Sequence, residues 1–463
     1  PRRARGGGRS LRAAPSASDA PRLPVRVRLR AALATDPGWA LGLCVLAFLV
    51  YNANFRPVSA GDCYPARFLP FAIWGGGSLL MDSVMDVARV GFADPHAVPF
   101  WMMRSPSGAY VSSYPLVTPV LVTPLYAPAV AALRLSGWRR DQLAYAGALM
   151  EKLSASAVAA ATVGLLFLLL RRRLEPRPAV LLTIAFAFGT STWVTSSQAL
   201  WQHGATQLLS CVALFALTRE PSAARLAVAG IACGLIPFNR PPDLPIALAL
   251  GAVALLAARL RSWPFVAGAI AAAIPFATLN VVMHGHVGGG YVRFVTVENF
   301  FHGSFTVGLA GLLVSPAKGL FFFSPFLLVL LVLRLRRPMP GDGYGRLDVA
   351  LLLAVVGTIA LLSKGDFRGG YCYGPRFLTG ILPALFWVLA PATRDLSRAT
   401  RGLFVAGIVV GAAMQAVGAF CYPHGLSDLR SAWSIREAPF IVEARAGIAC
   451  PELLEPLVKC RRP

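Results

Sequence analysis

LSASAVAAATVGLLFLLL (153–170) runs directly into RRRLEPRP (171–178). The first stretch holds no charged residue and the second holds four arginines. A membrane-spanning helix needs about 20 mostly apolar residues, and loops on the cytoplasmic side are rich in Lys and Arg. The pair therefore reads as the end of a span at 142–170 followed by a cytoplasmic loop. Further apolar runs recur from residue 38 to residue 420. The predicted spans are 38–55, 142–170, 179–197, 204–218, 225–238, 243–259, 264–282, 319–333, 349–363, 377–391 and 402–420.

Composition agrees. Of 463 residues, 56% are apolar and 14% charged, against about 25% charged in soluble domains. Mean hydropathy is +0.61. A soluble enzyme, a disordered chain and a fibrous protein are excluded. The net charge of +23 would suit nucleic acid, but the basic residues lie in short clusters between apolar runs, so no nucleic-acid partner is expected. The expected fold class is an all-α polytopic membrane protein, a bundle of about eleven transmembrane helices with two long outer-face loops, 56–141 and 283–318. Residues 1–37, with nine arginines among Pro, Gly and Ser, read as a disordered basic cytoplasmic tail. Residues 38–420 form the transmembrane domain and 421–463 an external C-terminal tail. The first residue is Pro, which reads as a fragment or an incompletely defined start.

One apolar run is left out of the spans. YPLVTPVLVTPLYAPAV (114–130) carries four prolines, which remove amide donors and break a regular helix. The run 114–133 is therefore expected to be a broken, re-entrant or interfacial segment. Charge supports that choice. With the N-terminus in the cytoplasm, the inner segments hold 22 Lys and Arg in 80 residues and the outer ones 19 in 188. If 114–133 crossed, every later loop would change sides.

Polar features gather outside. All six histidines, His96, His203, His284, His286, His302 and His424, fall there, with Cys63, Cys372, Cys421, Cys450 and Cys460. Cys450 and Cys460 are close enough to pair, and Cys63, Cys372 and Cys421 can hold a second pair. Glu151-Lys152 is the ionisable pair within a span; as helix neighbours the two diverge by about 100° and do not pair with each other.

Five outer stretches carry chemistry. GDCYPARF (61–68) offers Asp62, a general base or metal ligand by type, and Arg67; the plain alternative is a solvated loop acid. SSQALWQHG (196–204) offers Gln202 and His203, and His203 can bind phosphate, orient a base or cap a helix. FNRPPD (238–243) offers Arg240 with Asp243 as a local partner. SPAKG (315–319) places Lys318 at a helix start, a ready anion site. SKGDFRGGYCYGPRFL (363–378) offers Lys364, Asp366, Tyr373 and Arg376, with glycines that admit a ligand to the backbone. Cations repeated in three loops on one face suit a lipid-linked phosphate. HGH (284–286) is not by itself a zinc signature, so no metal site and no cofactor is expected; a divalent metal is possible in principle but not indicated.

Taken together, GDCYPARFLPF, SYPLVTPVL, AFGTSTWVTSSQALWQHG, GLLVSPAKGLFFFSP, GGYCYGPRFLTGILP and GAFCYP resemble bacterial membrane proteins of the GT-C glycosyltransferase superfamily, in the branch of the protein O-mannosyltransferases and the lipid-A aminoarabinose transferase. The resemblance covers about residues 38–425. It implies a GT-C-like bundle in the cytoplasmic (inner) membrane, with an active site on the outer face. It also implies a polyprenyl-phosphate sugar donor, inverting transfer to a glycan, lipid or protein acceptor, and contact with membrane lipids. On this match Asp62 takes the family's first-loop acid, as catalytic acid/base. Arg376 holds the donor phosphate, with Lys364, Lys318 and Arg240 around it; Arg67, His203, Gln202, Asp366 and Tyr373 are further candidates. A second loop acid seen in some relatives has no counterpart in SSQALWQHG, so a metal-free mechanism fits better. The alternative is a transporter or flippase of lipid-linked sugar, which needs the cations but no base.

The charge asymmetry makes a topological prediction. A single Cys introduced at 171–178 should react with membrane-impermeant reagent only after the cell is opened, and one introduced at 283–318 should react in intact cells. External labelling at 171–178 would restore 114–133 as a span.

Overall fold

The computed structural model describes residues 35–88, 98–137, 140–296, 298–337, 341–394, 396–422 and 432–455. His96, His424, Cys460 and the 1–34 part of the basic tail lie outside the described residues. Leaving out four-residue helical turns, the helices in chain order are α1 (Asp36–Asn52), α2 (Tyr64–Gly76), α3 (Val117–Val122), α4 (Ala127–Ser136), α5 (Arg140–Leu170), α6 (Pro176–Gly189), α7 (Gln202–Leu217) and α8 (Ala223–Asn239). They continue as α9 (Leu244–Ala258), α10 (Trp263–His284), α11 (Phe305–Val314), α12 (Pro325–Leu335), α13 (Gly345–Ser363), α14 (Leu382–Leu389), α15 (Arg398–Cys421) and α16 (Pro439–Ala446). The described strands form one antiparallel hairpin, Met102–Arg104 with Tyr110–Ser112, in which Met103 faces Val111. The chain is an all-α polytopic membrane protein.

Each of the eleven predicted spans falls on a helical stretch. Among the described residues, seven stretches are long and apolar enough to cross a membrane. Two of the other spans are completed by added turns: a π turn at Thr192–Ser196 follows α6, and a helical turn at Leu320–Phe323 precedes α12. The loop expected over 283–318 contains the apolar helix α11, which packs on the end of α13. There Gly308 leaves no room for a side chain, since a Cβ would lie 2.0 Å from the Ser363 carbonyl.

The expectation for 114–133 needs correction in one respect. The segment is helical, and Val117–Leu135 is one of the seven long apolar stretches. The prolines do not forbid this, because the chain restarts at each of them. Pro119 lies in the first turn of α3, Pro124 opens a 3₁₀ turn at Thr123–Tyr126, and Pro128 opens α4. A first-turn amide has no intrahelical acceptor, so its loss costs little. The segment is broken, as expected, into α, 3₁₀ and α pieces. Its first end lies at Asp62 and its last at the far end of α2. Tyr114 donates to Asp62 and Thr118 to Asn239, while Arg134 donates to the Trp74 carbonyl. α5, which follows, then runs about 16 Å from Arg140 before reaching Glu151 at the level of Ser59 and Leu200.

Close approach of small residues holds the helices where apolar contact alone has no driving force in lipid. GIACG (230–234) of α8 lies against α10; a Cβ on Gly234 would sit 2.4 Å from the Ala269 carbonyl, and one on Gly268 2.4 Å from that of Ala227. At the arginine-rich end, Arg171 pairs with Asp36 at 2.8 Å, joining α5 to α1. The buried Arg173 forks onto both oxygens of Asp348, at 2.7 and 2.9 Å, and onto Asp342 at 2.9 Å. It also donates to the Trp387 carbonyl and lies 4.9 Å from that ring. Arg394 closes the cluster on Asp342 at 2.9 Å.

Arg173→Ala would leave the buried Asp348 without its fork, a change that typically costs about 3–5 kcal/mol. Thermal unfolding of the detergent-purified variant should show a large fall in Tm. The paired change R173M/D348L should recover most of it, because it removes both charges together.

Candidate functional site

The site at the opposite end begins with a turn that only glycine permits. Residues 57–60 leave α1 in extended form, and Gly61–Cys63 make a 3₁₀ turn before α2. A Cβ on Gly61 would meet the Phe100 ring at 2.4 Å and the Trp101 ring at 2.7 Å. That close approach fixes Asp62 under the hairpin. Its Oδ1 accepts from the Tyr114 hydroxyl at 3.0 Å and its Oδ2 from Arg376 Nη1 at 2.8 Å. The Asp62 side chain is 26% exposed and that of Arg376 11%, so the pair lies at the edge of the protein interior.

Arg376 comes from the loop between α13 and the span at 376–393. Gly369 and Gly374 there adopt φ of +66° and +62°, the left-handed region that favours glycine. The loop folds back so that Arg376 Nη2 donates to the Gly369 carbonyl at 2.7 Å. The guanidinium lies over Trp201 at 4.5 Å and beside Phe377 at 5.4 Å, while its Nε is buried without a partner. The span itself is pinned from below: Gln207 Nε2 of α7 donates to the Thr379 carbonyl at 3.0 Å and to the Thr192 hydroxyl at 2.9 Å. Lys318 holds the same loop from behind, donating to the Cys372 carbonyl and sulfur.

Tyr114 stacks on Phe294 with centroids 5.2 Å apart. Burial, then the charge of Asp62, pushes its phenol well above the ordinary range, so the hydroxyl stays a donor. Beside it opens a cavity of about 210 Å3, lined by Tyr114, Pro115, Phe238, Asn280 and Tyr291 among others. His203 is 4% exposed, and neither ring nitrogen has a hydrogen-bond partner. It feels the charges of both Arg240 and Arg376. Arg240 is buried, paired with Asp243 at 2.5 Å and donating to the Phe377 carbonyl at 2.9 Å.

Of the residues read from the sequence, the structure brings Asp62 and Arg376 into direct contact, with His203 and Arg240 in the next layer. Gln202 supplies its backbone carbonyl to Asn239. Lys318 acts behind the loop. Lys364 is exposed at the end of α13, and its backbone carbonyl accepts from Gly303. Asp366 is held by Arg368 at 2.8 Å; burial opposes its charge, but the Arg368 hydrogen bonds outweigh that and lower it below the usual carboxylate range. Tyr373 donates to the Met414 carbonyl at 2.7 Å and packs on Phe323 and Tyr422. Arg67 belongs to a separate buried cluster, donating to Glu151 and to Ser59, both at 2.7 Å. Lys152 turns the other way, onto Gln198 at 2.5 Å, so the neighbours Glu151 and Lys152 diverge as expected.

Sequence reasoning missed Tyr114 as the second ligand of Asp62, Trp201 as the shelf for Arg376, and Glu151 as the partner of Arg67. Only SYPLVTP hinted at the first, and nothing in spacing ties residue 114 to residue 62. Cys63 and Cys372 carry reduced thiols, so no pair forms among Cys63, Cys372 and Cys421. Cys450 is in a disulfide. Among the described residues no three His, Cys, Asp or Glu side chains converge as a metal site.

No protein-family model matches the chain, and no curated protein matches it. Among solved structures, the crystal structure of the Archaeoglobus fulgidus oligosaccharyltransferase in the apo form is similar at a TM-score of 0.43 and 14% sequence identity. The alignment covers 82% of this chain and 55% of that one, so the chain spans about half the length of that enzyme. A likeness at this level assigns neither a family nor an activity.

Proposed function

We propose that the chain is a GT-C-like membrane glycosyltransferase. It moves a sugar from a polyprenyl-phosphate donor to an acceptor hydroxyl, with inversion, at the outer face of the cytoplasmic membrane. The observation that carries this reading is the 2.8 Å contact between Asp62 and Arg376, a carboxylate and a guanidinium at one end of a membrane bundle and beside a cavity. A lipid-borne phosphate sits at headgroup depth with its tail in hydrocarbon, and the mostly apolar wall formed by Pro115, Pro237 and Phe238 suits the first part of that tail.

In the reaction, the acceptor oxygen attacks the anomeric carbon from the side opposite the phosphate. Asp62 takes the hydroxyl proton as the new C–O bond forms. The bond from the anomeric carbon to the phosphate oxygen breaks, and its electron pair leaves with the lipid phosphate. Arg376 meets the charge that develops there; a leaving phosphate needs such charge stabilisation more than protonation. Tyr114 keeps Asp62 oriented throughout.

The two roles interlock. Asp62 occupies Arg376 Nη1, the position that a phosphate oxygen would take. Arrival of the donor on Arg376 therefore draws the guanidinium from Asp62 and frees the carboxylate for the acceptor. The base becomes available only when there is a sugar to transfer, which disfavours binding of the acceptor before the donor.

Asp62→Asn should lower transfer of labelled sugar from a polyprenyl-phosphate donor by about 10²–10⁴, the usual worth of a positioned base. Donor affinity should be unchanged or tighter, because Asn competes less for Arg376. Transfer within a few-fold of wild type would end the assignment of Asp62.

Arg376→Ala should weaken donor binding, and Arg376→Lys should restore it only in part, since an ammonium lacks the planar fork. Equilibrium binding of labelled donor to reconstituted protein measures both. A folded Arg376→Ala protein that binds donor as wild type does would place the phosphate elsewhere.

A further inference from the structure

The arginine-rich end holds a second feature that sugar transfer does not use. Between α5, α7 and α8 lies a crevice of about 280 Å3, walled by Leu165, Val212, Ala216 and Val228 and closed at the loop end by Arg219 and Arg225. It opens on the outer surface of the bundle, where Val228 is 46% exposed. Arg172 stands next to it. The guanidinium groups of Arg172 and Arg219 lie 4.3 and 4.5 Å from the same ring, Phe215.

This cation cluster lacks a counter-charge. Arg172 donates to the Phe215 carbonyl and the Thr218 hydroxyl, and Arg225 to the Glu220 carbonyl. Among the described residues no carboxylate lies within ion-pair distance of Arg172, Arg219 or Arg225. The Nη2 of Arg172 is buried with no partner at all. Burial, then the charges of Arg219 and Arg225, lowers Arg172 to about 10, which is how a crowded guanidinium behaves. The contrast with Arg173, one residue on, is direct: that side chain meets two carboxylates.

We infer that this crevice binds an anionic glycerophospholipid of the cytoplasmic leaflet. Its phosphate would sit among Arg172, Arg219 and Arg225, and one acyl chain would lie along Leu165, Val212, Ala216 and Val228. A soluble anion would satisfy the arginines but not the apolar slot, and a neutral lipid would fill the slot but leave the arginines opposed. Only a ligand with both parts matches the whole surface, as basic pockets between membrane helices do for anionic headgroups. The inference does not depend on the catalytic reading, since it concerns the other end of the bundle.

Native mass spectrometry of the full chain in detergent, titrated with phosphatidylglycerol or phosphatidylcholine of the same acyl chains, tests it. Phosphatidylglycerol should bind the wild type more tightly, and R219Q/R225Q should lower its affinity about 30-fold, taking each arginine near a membrane surface at its usual worth. Both side chains lie at the surface, so the fold should survive, and phosphatidylcholine binding should hardly change. V228W keeps every charge but obstructs the slot, and it should weaken phosphatidylglycerol several-fold. Equal binding of the two lipids to wild type, or unchanged affinity in both variants, would overturn the proposal. Displacement of phosphatidylglycerol by millimolar inorganic phosphate would overturn it too, in favour of a soluble-anion site.

Discussion

The contact between Arg376 and Asp62 joins the first residue of one span to a carboxylate just beyond another, 314 positions away in the chain. Both groups lie at the edge of the protein interior, where each charge offsets the other. Around the contact the protein arranges everything else at this end. Gly61 lets Asp62 pass beneath two aromatic rings, Gly369 and Gly374 let the second loop fold back, and Trp201 provides a face for the guanidinium. The geometry of both loops thus converges on one ion pair.

The same rule governs the other end, with a different outcome. Arg173 is enclosed by Asp348, Asp342 and the Trp387 carbonyl, a fully compensated set that locks the 171–173 turn against α13 and the span at 376–393. A pair so completely satisfied has no capacity for a ligand. Arg376, with its Nε unpartnered and its pair at the protein edge, retains some. Arg240 uses its two terminal nitrogens as Arg376 does, one on a carboxylate, Asp243, and one on a backbone carbonyl, that of Phe377.

Spans were legible in the sequence because the signal is summed over many residues: each apolar run of the predicted eleven is helical, to within a few residues. The Pro-rich segment was only half legible. Proline content correctly indicated a break, but where each proline falls within its own short helix decides whether the amide is missed, and that depends on the local restart. In the site, Asp62 and Arg376 stood out because charged residues next to spans are few. Their contact was not legible, since it depends on how loops 314 residues apart fold over the bundle end. Nor were the partners Tyr114 and Glu151, which are ordinary residues by type and become informative only through what they touch. Lys364 illustrates the converse: its position in a cationic loop suggested a ligand, and the structure shows it as the exposed C-terminal cap of α13, its backbone carbonyl accepting from Gly303.

α7 links the two ends. Its first turn carries His203 beside the Arg376 layer, its middle carries Gln207, and its last turn carries Phe215 between two arginines. Gln207 is hydrogen-bonded to Ser196, Thr192 and Thr379, so the helix is fixed in register to the π turn after α6 and to the start of the span bearing Arg376. Buried hydrogen bonds of this kind cost more to break in a low-dielectric interior than at a surface. These bonds tie α7 to the elements on both sides of it. At the Asp62 end the charged groups themselves come from loop material, the turn at Gly61 and the Gly-rich turn before Arg376, while the helices beneath them are joined by these buried bonds.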